Sequence, residues 1–149
     1  MAKIKPNEDC PCESKVKYKK CCQLYFKGKN ITQPEILLRS RYTALSAGEV
    51  EFLWKVYHPQ SMRKIHDTWA KFASEYHHLH QQDYQAFKIL SLKFDHDEDR
   101  ALAVTRITLI ENQQDLSYLE EIELRKFENE WYYFNGKQKR EFAPPSGAI

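Results

Sequence analysis

An α+β fold is predicted, with three helices in the first half packed on a curved, four-stranded antiparallel meander in the second. A small cysteine-bearing module precedes both. Three observations point there. All four cysteines of the 149-residue chain fall between residues 10 and 22. Apolar residues recur at helical spacing from 32 to 76. After residue 82, long β-branched and aromatic runs are separated by short polar links, the pattern of hairpins. Helices followed by a meander read as α+β, with the helices covering one sheet face.

The cysteines come first in the chain, as Cys10, Cys12, Cys21 and Cys22 in the pattern C-x-C-x8-C-C. Two disulfides could be drawn among them. The first residues lead into no apolar segment, so an exported chain is not expected, and thiols stay free in a reducing cytoplasm. So short a segment holds too little apolar sequence for a core. A metal resolves both points, since four thiolates supply a closed tetrahedral site for one structural Zn²⁺. Binding then provides the folding free energy that the segment lacks. Four thiolates around Zn²⁺ leave a charge of −2. Lys15, Lys17, Lys19 and Lys20 lie between the ligand pairs and are placed to offset it. Residues 1–30 carry eight lysines against three acids, a net +5, so the remainder stands at −3 within a total of +2. The division expected is a module with its connector at 1–31, a body at 32–143 and a loose tail at 144–149.

In the body, Thr32 reads as an N-cap, with Glu35 three residues on and Pro34 in the first turn. Leu38, Tyr42 and Leu45 share a face, and Gly48 stops the helix. Residues 49–57 make a second helix, with Val50, Leu53, Trp54 and Tyr57 in phase and Pro59 beyond it. Residues 61–76 make a third, marked by Met62, Ile65, Trp69, Phe72 and Tyr76. Strands follow at 84–95, 101–111, 116–127 and 131–134, with the exit at Gly136 and Pro144-Pro145. Such a sheet closed by helices forms a cone, and a cone commonly holds a pocket.

No apolar run approaches the roughly 18 residues of a membrane-spanning helix. With four glycines there is no phosphate-cradling loop, and neither G-x-S-x-G nor H-E-x-x-H occurs. Assigning every cysteine to metal leaves no thiol nucleophile. The candidate pocket residues are Arg39, Arg41, Tyr42, His58 and Glu120. Arg41 flanks the apolar helix face, and Glu120 shares an inward strand face with Tyr118, Ile122 and Leu124, so the two are expected to pair. His58, before Pro59, is a helix-end histidine or a pocket acid–base. His77, His78 and His80 read as a solvated helix end, His66 as half-buried, and Trp54, Trp69, Phe72 and Trp131 as core.

The run Cys10-Pro11-Cys12-Glu13-Ser14-Lys15-Val16-Lys17-Tyr18-Lys19-Lys20-Cys21-Cys22 resembles the SEC-C motif, the zinc-binding tail of the SecA translocation ATPase. Glu13 and Lys15 stand where that motif usually has glycine. The order of this motif, Leu38-Arg39-Ser40-Arg41-Tyr42-Thr43-Ala44, Tyr57-His58-Pro59 and Glu130-Trp131-Tyr132-Tyr133-Phe134-Asn135-Gly136 is similar to the bacterial YchJ-like proteins. Tyr57 and Asn135 replace a tryptophan and an aspartate of that pattern. Glu120-Glu121-Ile122-Glu123-Leu124 keeps only the leading glutamate of its E-R-S-R-F. The resemblance implies a nuclear-transport-factor-2-like (NTF2-like) cone and no established reaction.

What the resemblance implies for function is a non-enzymatic, cytoplasmic zinc-binding adaptor. Lys15, Lys17, Tyr18, Lys19 and Lys20 would dock to a protein partner, a chaperone or a component of the translocation or ribosomal machinery, as the SecA motif docks to the SecB chaperone and contacts ribosomes. A cone of this class also implies a homodimer through the open sheet face. Two alternatives stand beside it. One is a lyase- or isomerase-type enzyme, or a small-molecule binder, that uses Glu120 with His58 or Arg41 in the pocket. The other is RNA binding through the basic segment, with Tyr18, Tyr25 and Phe26 stacking on bases.

Overall fold

Backbone amides decide much of this architecture. The computed structural model describes residues 4–76 and 82–140. The loop that carries Cys10 and Cys12 folds back on itself, Cys10 N–H donating to the Val16 carbonyl across 2.9 Å. A 3₁₀ turn at Tyr18–Lys20 leads into α1 (Cys22–Phe26), so part of the expected connector is helical. Then come α2 (Pro34–Ala47), α3 (Val50–Lys55), α4 (Met62–His66) and α5 (Trp69–Glu75). The strands are β1 (Gln82–Phe94), β2 (Arg100–Glu111), β3 (Gln114–Asp115), β4 (Tyr118–Phe127) and β5 (Glu130–Arg140). They form one antiparallel sheet in the order β1-β2-β4-β5, with β3 a two-residue extension paired to β2. The α+β architecture follows the sequence expectation, with four helices over 32–76 among the described residues where three were expected, and α1 in the module besides.

The α2 helix starts one residue later than expected. Gln33 is the N-cap, without a side-chain bond, and Pro34 occupies the first turn, where its missing N–H leaves nothing unpaired. Its end is as expected, with Gly48 left-handed at φ 75°. Leu37, Leu38, Tyr42, Ala44 and Leu45 are buried against the sheet, which curls so that α2 meets both β1 and β5.

The single helix expected over 61–76 is two. Ser61 Oγ caps α4 by accepting from Lys64 N–H, and Thr68 Oγ1 caps α5 by accepting from Lys71 N–H. Asp67 between them is extended. The break shifts the phase of the halves, so Arg63 packs over the Phe72 and Tyr57 rings while Met62, Ile65 and Trp69 face outward. Those three, read as an inward stripe, are exposed, as is His66. Phe72, Trp131 and half-buried Trp54 are in the core.

Two hairpins turn on paired left-handed residues, Asn112-Gln113 and Glu128-Asn129, the type I′ geometry that matches strand twist. The last strand runs through Gly136 to Arg140, beyond its expected end at 134. A bulge at Phe134, where Glu123 pairs with Asn135 but Leu124 with Tyr133, carries it onward in new phase. The β5 edge is partly covered, since Trp131 N–H donates to the Ile31 carbonyl and Tyr133 exchanges bonds with Val56 and His58. The expected tail at 144–149 and the histidines at 77, 78 and 80 lie outside the described residues.

Candidate metal centre and cone cavity

The backbone reversal from residue 10 to residue 22 brings the four thiols together. The sulfurs of Cys10, Cys12, Cys21 and Cys22 all lie within 4.8 Å of one another, with Cys12 and Cys21 at 3.6 Å. A tetrahedral thiolate site with metal–sulfur bonds of about 2.3 Å spaces its sulfurs at about 3.8 Å. The donor set therefore fits a metal ion that prefers sulfur. Cys10, Cys12 and Cys22 are buried and Cys21 is half-buried. The hydroxyl of Ser14 lies 3.2 Å from Cys21 Sγ, and that of Thr43 lies 3.7 Å from Cys10 Sγ. Both can donate to thiolate, the usual outer support of a metal ligand.

Without a cation the cluster is divided against itself. The hydrogen bond from Cys10, then that from Cys22, pulls the Cys12 thiol far down. The bond to Cys22 lowers Cys21 to about 7. The bond to Cys12 raises Cys10 to about 11, and bonds to Cys10, Cys12 and Cys21 push Cys22 well above the thiol range. Thiols packed this closely share protons, and a divalent ion removes the conflict by charging all four.

Two residues of the knuckle take left-handed backbone without being glycine, Glu13 at φ 63° and Lys15 at φ 66°. The turn thus keeps the form that glycine would favour, at some conformational cost. Glu13 has a compensating contact, because its Oε2 accepts the Phe87 N–H of β1 at 2.6 Å. Arg39 donates from Nη1 to the Cys12 carbonyl at 2.6 Å, and Phe26 packs edge-on to Phe52 at 4.7 Å. The module is therefore clamped to α2, α3 and β1.

The five candidate docking residues fall into two groups. Lys15, Lys17, Lys19 and Lys20 are exposed, and none forms an ion pair among the described residues. Tyr18 is buried instead, its ring 6.3 Å from Phe26, because the small module needs an aromatic at its centre. Phe26 is likewise committed to packing and Tyr25 is half-buried, so the expected base-stacking surface is largely taken.

The five candidate pocket residues also separate. Arg41 donates from Nη1 to Glu120 Oε1 at 3.0 Å, and Tyr133 Oη donates to Glu120 Oε2 at 2.6 Å. Both carboxylate oxygens of this fully buried glutamate are thus occupied. Burial works against charge on Arg41, and Glu120 beside it keeps the guanidinium firmly protonated. Gly136 makes the group fit, since a Cβ there would meet Tyr133 Oη and Glu120 Oε2. Arg39 faces the module rather than the cone. Tyr42 stacks on Phe87 at 4.8 Å, outside the cavity lining.

His58 lies elsewhere, enclosed by Phe127, Tyr132 and Phe134, with Nδ1 accepting the Gln60 N–H at 3.0 Å. It lines a different surface hollow, with Asp95, Asp97 and Arg125 among its neighbours. The acid–base pairing of Glu120 with His58 is therefore absent. The cone itself holds a cavity of about 530 Å³. Arg41, Arg63, Arg140, Tyr76, Tyr84, Tyr118, Gln82 and Gln138 line it, with Glu75 and three leucines. Burial pushes the Tyr84 phenol up to about 12, and those of Tyr118 and Tyr76 higher, so all three stay protonated. Tyr133, though inside the Glu130–Gly136 motif, carries no local signal of its bond to Glu120. Arg63 carries none either, because one continuous helix over 61–76 would place its side chain outside, whereas the break turns it to the cavity.

Comparisons with known proteins agree with this geometry. Residues 33–136 match the family model described as YchJ, middle NTF2-like domain, and residues 7–24 match the SEC-C motif. A UPF0225 protein of Enterobacter sp. (strain 638) is 43% identical over 51 residues, 34% of this chain and 34% of that protein. The chain thus aligns with about a third of that relative's length. The solution structure of a SEC-C motif containing protein from Rhodopseudomonas palustris superposes with a TM-score of 0.72 at 20% identity, over 87% of this chain and 98% of the other. The crystal structure of one from Psychrobacter arcticus gives 0.67 at 17%, over 87% and 82%. At such identities these two establish the fold. Among the described residues, no helix is long and apolar enough to cross a membrane.

Proposed function

The chain belongs to the YchJ family, with a SEC-C motif ahead of the family's middle NTF2-like domain, and on that premise we propose a non-enzymatic zinc-binding interaction protein. One Zn²⁺ held by Cys10, Cys12, Cys21 and Cys22 would be structural, since four thiolates leave no position for water. Its chemistry is to charge all four sulfurs and hold the knuckle closed. The knuckle then presents Lys15, Lys17, Lys19 and Lys20 on a rigid mount to an acidic surface of a chaperone or of the ribosome.

The observation that carries this reading is the combination of convergent thiols with four exposed lysines that have no acidic partner among the described residues. Unpaired cations on a fixed base attract acidic surfaces in a salt-dependent way. Against an enzyme stands the full occupancy of Glu120 by Arg41 and Tyr133. The test is binding of zinc-loaded protein to purified SecB and to purified ribosomes, with wild type and a variant in which all four lysines are glutamate. Salt-sensitive binding lost in the variant supports the reading. No binding to either, or binding indifferent to the charge reversal, makes the module a cap on the body. Binding to bare RNA with the same lysine dependence would favour the nucleic-acid alternative.

A further inference from the structure

We propose that the cone cavity binds a small organic carboxylate, anchored by Arg41. Only 11% of the Arg41 side chain is exposed. Its Nη1 is bound to Glu120, and its guanidinium lies 4.1 Å over the Tyr133 ring. Its Nε and Nη2 donors have no hydrogen-bond partner among the described residues, and the side chain borders the 530 Å³ cavity. Neither is sealed off from the cavity's solvent, so both can donate to an acceptor that enters it. The guanidinium fork matches a carboxylate in shape as well as charge.

The charge around the cavity agrees. Glu120 offsets Arg41, Glu75 offsets Arg63, and Lys71 offsets Asp67, which Arg63 also bonds. Arg140, also on the lining, has no acidic partner among the described residues. One positive charge is left for a ligand anion. Beside Gln82 and Gln138, the wall is Leu45, Leu109 and Leu116 with tyrosine rings, and these apolar surfaces favour an organic body over a bare inorganic ion. The volume falls within the range of about 300–1,000 Å³ typical of small-ligand sites. This inference stands apart from the docking reading and uses none of the lysines.

The test titrates the zinc-loaded full chain with benzoate, phenylacetate and 4-hydroxybenzoate, and with the three corresponding amides. The readout is the nitrogen–proton resonance of each arginine Nε. At least one acid is expected to bind saturably below about 10 mM and to shift the Arg41 signal, with its amide at least about tenfold weaker. Arg41→Lys removes the fork and should weaken binding by a similar factor. That variant also disturbs Glu120, so Leu116→Trp, which fills the cavity from a half-buried position, provides the second reading. It should abolish binding and leave the melting temperature near wild type. The proposal is overturned if none of the acids shifts Arg41, if amides bind as well as acids, or if Leu116→Trp keeps its affinity. Inorganic phosphate binding as tightly as the acids would overturn the organic assignment.

Discussion

Glu13 and Lys15 show how much one side chain can matter in this knuckle. Both hold left-handed backbone, which costs a non-glycine residue roughly 1–2 kcal/mol. Only Glu13 recovers part of that, through the Phe87 amide. Lys15→Gly is therefore expected to raise stability by about 1 kcal/mol, and Glu13→Gly to gain nothing or lose, because it strands a β1 amide. Denaturant unfolding of the two zinc-loaded variants checks the contrast, and equal stabilisation by both would deny the Glu13 clamp. His58 makes a second prediction. Burial, then the nearby Arg125, holds its pKa below the usual histidine value, and Nδ1 must stay unprotonated to accept from Gln60. The unfolded chain takes up that proton more readily, so this contribution to stability is present above about pH 6.5 and is lost as pH falls through the folded value. His58→Asn, which keeps an acceptor, should show a smaller loss between pH 7.5 and 5.5 than wild type. Of the site, the four cysteines and the Arg41–Glu120 pair were legible, because ligand spacing and strand alternation are local signals. The burial of Tyr18, the outward turn of Arg39 and the remoteness of His58 depend on how separate elements meet, which no local pattern records.

The paired turns, the Gly48 stop and the switch from helical to strand periodicity could all be read directly. The division of 61–76 could not be read from apolar spacing, because Met62, Ile65 and Trp69 keep helical phase across a real break. The overlooked signal was Thr68, a capping residue inside an apparently continuous helix. Thr68→Ala should cost about 1 kcal/mol. Hydrogen exchange should locate the loss in the first turn of α5, with α4 unaffected, and equal loosening of both would mean that they behave as one helix. The end of β5 was missed for a related reason. The bulge at Phe134 interrupts the alternation, so the polar stretch after Gly136 looks like an exit although its amides continue the ladder with β4.

For the whole molecule, the central point is that the cysteine module is clamped to the body rather than tethered to it. Thr43 approaches Cys10, Arg39 holds the Cys12 carbonyl, and Glu13 holds the Phe87 amide. Removing the metal should therefore reach the sheet. Chelation is expected to lower the melting temperature and to speed exchange of the Phe87 amide, while amides of the β2–β4 pairing stay protected. A module that unfolds with Phe87 unaffected would show the two parts to be independent. The measurement that tests the account most directly is the zinc content of protein purified without added metal, beside a Cys12→Ser variant. One zinc per chain in the wild type, with four free thiols on denaturation in chelator and little zinc in the variant, is the expected result. A wild-type chain without zinc, or with its cysteines joined as disulfides, would contradict it.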